Sequence, residues 1–361
     1  MLYAFALRGQ IGEDSMVFYT AARAWITGDG PQIYNGYWLT DQINARFVGW
    51  LATPIKLHPW IYPPSFLLIV LPLAVLPFAA ALLLAQGVGL ALIAVASCAQ
   101  VAARRWMLAS LLLSPATAVN VLLGQNAFLT GALLIGGAGS LRRFPVVSGV
   151  LLGLLTYKPQ FCLMVPVVLL AGQHWATAIT ALLTAVALVL TSAALFGLKL
   201  WATWIDLVTG QGSLSYDWSH EARLNGMSVY ACASWLGIPP DAVSLMQLLA
   251  VLIAATAVYA AYRRVIPDEL RLAVLLAATF VAAPHSANYD AVLLLVAATL
   301  LIGKRSSDSS QNRTELVLAC ALWLCPLFNP PSVFTVGAFT PLLVFGFIAT
   351  LLRRSRSIGK G

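Results

Sequence analysis

Two adjacent carboxylates, Glu13 and Asp14, open the stretch GEDSMVFY in a chain that is poor in acids. A carboxylate at the start of a helix is favoured by the positive end of the helix dipole, by about 0.3–1 kcal/mol. The same group held at a membrane surface can instead take a proton from a hydroxyl nucleophile. Spacing leaves both readings of Asp14 open. Further along come Tyr62-Pro63-Pro64, Gly124-Gln125-Asn126 and Lys158-Pro159-Gln160. The first reads most simply as a rigid helix start, with proline pre-set for the first turn. A lysine between apolar runs is expensive at membrane depth unless it is paired. A lipid-linked phosphate suits an ammonium, and snorkelling to the headgroups is the alternative. The 199–240 segment gathers Trp201, Trp204, Asp206, Trp218, His220, Glu221 and Arg223. That mixture suits sugar stacking and hydrogen bonds to hydroxyls, and equally an aromatic belt. Last come His285, Tyr289 and Asp290. His285 reads as a hydrogen-bonded structural residue or as a catalytic or phosphate contact.

The elements that must position these groups are apolar. Hydrophobic residues make up 60% of the 361 positions and charged residues 9%, against roughly 25% charged in a soluble domain. Long apolar runs of this kind mark an all-α polytopic membrane protein, and the alternation of an outer-membrane barrel is missing. The net charge of +8 comes largely as basic pairs at the ends of apolar runs, among them Arg104-Arg105, Arg142-Arg143, Arg263-Arg264, Lys304-Arg305 and Arg353-Arg354. Such pairs hold loops in the cytoplasm, so the charge is a topology signal and no nucleic-acid partner is expected. The five cysteines lie in or beside apolar segments without metal-ligand spacing, so neither a metal site nor a disulfide framework is expected. No nucleotide-binding or hydrolase signature opens a suitable element.

Apolar segments run at about 65–101, 106–122, 126–141, 145–157, 160–172, 175–197, 241–262, 268–283, 287–303, 315–328 and 338–352. They predict a single domain over 1–361 with about 11–12 transmembrane segments. Pro72 and Pro77 divide the first run, giving one full span preceded by a short dipping or interfacial helix. Residues 14–27 read as an interfacial helix, with Tyr19 and Trp25 at headgroup level and Gly28-Asp29-Gly30-Pro31 as its stop. Met1 to Leu7 is too short an apolar stretch to span, so a first transmembrane helix is expected to be short or missing. Alternation from the basic pairs places Gly124, Lys158, the 199–240 segment, His285 and Asn329-Pro330-Pro331 on the external side, with His174-Trp175 inside. The polar motifs thus share one face.

Their order carries a resemblance. Asp14 followed by Tyr19 to Ala22 as Tyr-x-x-Ala, then Tyr62-Pro63-Pro64, Gly124-Gln125-Asn126, Lys158-Pro159-Gln160, and His285 before Tyr289-Asp290 together resemble glycosyltransferase family 87 over about 14–290. That family belongs to the C-type (GT-C) superfamily of polytopic transferases. It includes mycobacterial mannosyltransferases that use polyprenyl-phosphate-mannose, and related arabinofuranosyltransferases. The resemblance implies a GT-C-like bundle with external loops and interfacial helices. It implies transfer of mannose, another hexose or arabinofuranose from a polyprenyl-phosphate sugar to a lipid- or glycan-linked acceptor. The site would face the periplasm or exterior of a bacterial inner membrane. Asp14 matches the first-loop aspartate regarded as the family's base. Lys158, Gln125, Asn126, Arg223 and His285 are then candidates for the sugar donor's phosphate or sugar, with Glu13, Tyr62, Gln160 and Asp290 in support and no metal or other cofactor. A secondary transporter or lipid flippase is the rival reading. Its polar groups should lie near the membrane midplane in repeated halves, and no internal repeat is visible.

Overall fold

Apolar stretches of unequal length set the architecture. The computed structural model describes residues 11–210, 226–303, 309–328 and 335–358, and the regular structure there is helical, with one isolated antiparallel bridge between Gly226 and Ala287. The helices begin with α1 (Glu13–Thr27), α2 (Gly36–Arg46), the short α3 (Leu67–Val70) and α4 (Phe78–Cys98). They continue with α5 (Arg104–Leu113), α6 (Pro115–Leu123), α7 (Ala127–Ser140), α8 (Pro145–Leu154), α9 (Val165–Gly172) and α10 (Trp175–Phe196). After α11 (Leu198–Val208) come α12 (Val229–Trp235), α13 (Pro240–Arg263), α14 (Asp268–Ala282), α15 (Val292–Ile302), α16 (Ser309–Leu324) and α17 (Thr340–Ile358).

Among the described residues, four helical stretches are long and apolar enough to cross a membrane: α4, α10, α13 and Gly337–Arg354. The pair α5 and α6, bent by 52° at Ser114 and Pro115, makes a fifth if it is one span. Large side chains such as Leu83 and Val95 on α4, Leu182 and Leu190 on α10, and Leu248 and Leu252 on α13 are exposed, as lipid-facing residues must be. The sequence expectation of about 11–12 segments rests on apolar runs. Several of those runs form shorter helices: Ala127–Ser140, Pro145–Tyr157, Pro159–Gly172 and Val292–Ile302. An apolar run is satisfied by burial in protein as well as by lipid. The 65–101 run divides at Pro77 into a short helical piece over Pro64–Val75 and the full-length α4, as the proline spacing predicts.

The described residues fall into two compact units with interleaved segments: 11–89, 120–126 and 185–210 in the first, and the remaining described residues in the second. In the first unit, α1 packs on α2 and on the Leu71–Val75 turn. It buries Met16, Val17, Thr20, Ala21 and Ala24. Gly28 ends the helix in the left-handed conformation, its N–H bonded to Ala24 and Trp25 carbonyls. Tyr19 donates to the Leu76 carbonyl at 2.8 Å and packs on Phe47 and Phe78, while Trp25 packs on Phe196. Each of these two rings thus has a protein neighbour while staying partly exposed, because α1 is covered on one face by the rest of its unit.

In the second unit, α14 and α15 form the centre. Every residue from Leu270 to Ala282 is buried, and so is nearly all of α15. These helices lack a polar face, which is the sequence sign of a central position. Around them pack α13, α16 and α17. Elsewhere in the unit, α8 meets α10 closely because Gly149 and Gly153 carry no side chain. A Cβ at Gly149 would lie 2.8 Å from the Thr177 carbonyl, and one at Gly153 2.6 Å from that of Ala181. Glycines four apart let two backbones touch.

Candidate active site

The first unit places the acidic pair on a scaffold of short hydrogen bonds. The α1 helix begins at Glu13, and its N-cap is Gly12 in the left-handed conformation, with no side-chain cap. Asp14 therefore lies inside the first turn and is not the cap. The Gly12 N–H donates to the Leu122 carbonyl at 2.7 Å, and Ser15 Oγ donates to the Gly124 carbonyl at 2.5 Å. The start of α1 is thus tied to the Gly124-Gln125-Asn126 turn.

That turn explains its own glycine. Gly124 has φ +70°, and a Cβ there would collide with Ser15 Oγ and lie 3.0 Å from Leu82. We expect Gly124→Ala to cost about 1–3 kcal/mol, read as a fall in the thermal midpoint of the detergent-solubilised protein. A wild-type midpoint would show that the turn relaxes without penalty. Gln125 is buried, and its backbone carbonyl accepts from Gln86 Nε2 at 3.0 Å. Its Oε1 accepts from the Asn126 N–H at 3.1 Å and from the Tyr62 hydroxyl at 3.5 Å. Asn120 extends the chain by donating to Gln86 Oε1 at 2.8 Å. Asn126 is buried as well.

Facing the acids is a residue that the sequence reading passed over. His58 Nε2 lies 2.9 Å from Asp14 Oδ1, and Nδ1 lies 3.3 Å from Glu13 Oε1. Ionised carboxylates only accept hydrogen bonds, so a ring that meets one at each nitrogen must donate from both and is an imidazolium. Partial burial alone would lower the His58 pKa. The hydrogen bonds and charges of Asp14 and Glu13 outweigh it and hold the group up at about 10. Asp14 Oδ2 accepts no hydrogen bond from the described residues.

The loop carrying His58 is pinned from three sides. The His58 N–H donates to Thr40 Oγ1, Asn44 on α2 bonds both the N–H and the carbonyl of Ile55, and Trp204 on α11 donates to the Ile61 carbonyl. Beneath it, Phe18, Trp60, Tyr62 and Phe66 form an aromatic cluster with centroids 4.5–6.2 Å apart. Tyr62 belongs to this cluster, and its carbonyl accepts from Tyr34. The available signal for His58 was an imidazole on the loop that follows the two acids, just ahead of Tyr62-Pro63-Pro64.

A raised pKa has a defined consequence for stability. The folded protein holds the His58 proton more tightly than the unfolded chain, so this contribution is complete below about 6.5 and is lost as pH rises through about 10. The wild-type thermal midpoint should fall over that window more steeply than that of His58→Gln. Parallel slopes would refute the imidazolium assignment.

The second unit holds its own polar centre. Lys158 is 2% exposed, and its Nζ lies 2.7 Å from Asp290 Oδ1. Asp290 Oδ2 accepts from the Ala287 N–H, and the ammonium sits over the rings of Phe161 and Tyr289. The sequence offered a phosphate or the headgroups as the partner of this lysine; the structure supplies an aspartate. Nearby in sequence, Tyr157 and Thr130 share a 2.7 Å hydrogen bond. Gln160 is half-buried. His285 has an exposed side chain and a ring contact with Tyr230. Arg223 lies outside the described residues, with Trp218, His220 and Glu221.

The structure therefore brings Glu13, Asp14, Tyr62, Gln125 and Asn126 into one unit, and Lys158, Asp290, Gln160 and His285 into the other. No curated protein and no solved structure matches the chain. The profile of glycosyltransferase family 87 matches residues 60–284. This range takes in Tyr62, Gln125, Asn126, Lys158, Gln160 and Arg223, while Glu13, Asp14 and His58 precede it and His285 and Asp290 follow it. With well over half of its length matched, and with helices long and apolar enough to cross a bilayer, the chain belongs to glycosyltransferase family 87 and is a multi-pass membrane glycosyltransferase.

Proposed function

We propose that this glycosyltransferase moves a sugar (mannose, another hexose or arabinofuranose) from a polyprenyl-phosphate donor to a hydroxyl of a lipid- or glycan-linked acceptor. The site would face the periplasm or exterior of a bacterial inner membrane, as the basic pairs argue. The observation that carries the reading is the Glu13–His58–Asp14 cluster, in which an imidazolium fixes one oxygen of Asp14 and leaves Oδ2 for a proton. Asp14 takes the proton of the acceptor hydroxyl as its oxygen attacks the anomeric carbon. The bond from that carbon to the phosphate oxygen breaks. Polyprenyl phosphate leaves with one more negative charge, balanced by the proton now on Asp14, and no metal or other cofactor enters the step. His58 is a positioning residue here: it holds Asp14 and compensates charge.

Gln125, Asn126, Arg223 and His285 remain the proposed contacts for the phosphate or sugar. Lys158, engaged by Asp290, serves in this reading by holding Asp290 and Tyr289 in place. Membership of a transferase family leaves the transporter or flippase reading without support. The test is a panel of labelled polyprenyl-phosphate sugars and nucleotide sugars, presented to the purified chain in vesicles of known sidedness. Transfer is expected from a polyprenyl-phosphate sugar, on the face opposite Arg104 and Arg263. Transfer from nucleotide sugars alone, or on the other face, would defeat the proposal.

A further inference from the structure

A cavity of about 270 Å³ lies within the second unit, at the ends of α4, α7, α9 and α13 and the starts of α10 and α14. Its polar lining includes Gln100, Arg142, His174, Arg263, Asp268 and Arg271. Three arginines face one aspartate, so two positive charges are left over. Asp268 is shared, 2.6 Å from Arg271 Nη1 and 3.5 Å from Arg142 Nη1. Arg271 is buried, and its Nη2 donates to the Arg264 carbonyl at 2.6 Å. Its Nε has no hydrogen-bond partner among the described residues. Arg142 and Arg263 are exposed at the rim.

The helix ends do not cancel this charge. Four C-termini (α4, α7, α9, α13) at about −0.5 each and two N-termini (α10, α14) at about +0.5 each offset roughly one positive charge. His174, half-buried in the wall, responds to the remainder: burial, then the charges of Arg142 and Arg271, hold its pKa below the ordinary value.

We propose that this cavity binds the phosphate of an anionic phospholipid headgroup, with Arg142 and Arg263 at the rim and Arg271 as the floor. One observation favours a lipid over a soluble anion. The chain neighbours of its lining, Phe144, Leu170, Trp175 and Val265, are exposed apolar side chains, the surroundings that acyl chains require. A basic pocket between helices beside such surface is the arrangement that takes anionic headgroups. This inference is independent of the sugar-donor reading.

The test is thermal unfolding of the full chain in detergent, titrated with phosphatidylglycerol, with phosphatidylcholine and with inorganic phosphate. The proteins compared are wild type and Arg142→Gln/Arg263→Gln. Arg271 is left intact because it is buried and also donates to the Arg264 carbonyl. Phosphatidylglycerol should raise the wild-type midpoint at far lower concentration than the other two. The double variant should need about 25-fold more of it, about fivefold for each arginine. Equal stabilisation by phosphatidylcholine, or an unchanged concentration dependence in the variant, would overturn the proposal. Inorganic phosphate acting as strongly, with the same arginine dependence, would overturn the lipid assignment in favour of a soluble phosphate.

Discussion

Asp14→Asn is expected to lower sugar transfer by about 10²–10⁴-fold, the usual share of general base catalysis. The amide keeps the size of the side chain, and its oxygen can still accept from His58, so the cluster survives the exchange. What is lost is the ability to take a proton at neutral pH. The helix start offers little competing explanation: Gly12 and not Asp14 occupies the cap, and loss of a first-turn charge costs only about 0.3–1 kcal/mol of stability. Turnover should be measured beside Glu13→Gln at matched expression and thermal midpoint. Near-normal turnover of Asp14→Asn would end the catalytic assignment. Loss in Glu13→Gln alone would pass the role to its neighbour, whose carboxylate reaches the other nitrogen of the same ring.

Lys158→Ala should cost about 3–5 kcal/mol of stability, since it leaves a buried carboxylate without its cation. Both side chains are nearly inaccessible, at 3% and 1% exposure, so water cannot fill the gap. Replacing both partners, as Lys158→Met with Asp290→Leu, should recover part of the loss, because neither charge is then left behind. The recovery is incomplete, since Asp290 also accepts from the Ala287 N–H. Thermal unfolding of the wild type and these two variants separates the cases. If Lys158→Ala kept the wild-type midpoint while its kinetics toward a polyprenyl-phosphate sugar worsened, the lysine would be a phosphate ligand and the buried pair incidental.

Local signals in the sequence were readable where the physics is local. The helix over Glu13–Thr27, its stop at Gly28 and the break at Pro77 depend on nearest neighbours, and their residues announce them. The need for glycine at 124 was visible only as a polar turn; its reason, the contact with Ser15, depends on a residue 109 positions away. The partner of Asp14 is 44 positions distant and that of Lys158 is 132, and no periodicity encodes such pairs. The apolar runs identified the solvent as lipid or protein interior without distinguishing them. This is why α14 and α15, which read as spans, lie wrapped in other helices of their unit.

The Lys158–Asp290 pair also constrains how the chain is made. A ribosome adds about 5–20 residues each second, so the 132 positions between them correspond to about 7–26 s of synthesis. The lysine is committed to its segment before its carboxylate exists. The ion pair that neutralises Lys158 in its buried site can form only when the stretch that brings Asp290 has followed. Any chain stopped short of Asp290 carries an ammonium destined for a buried site with no carboxylate to meet it.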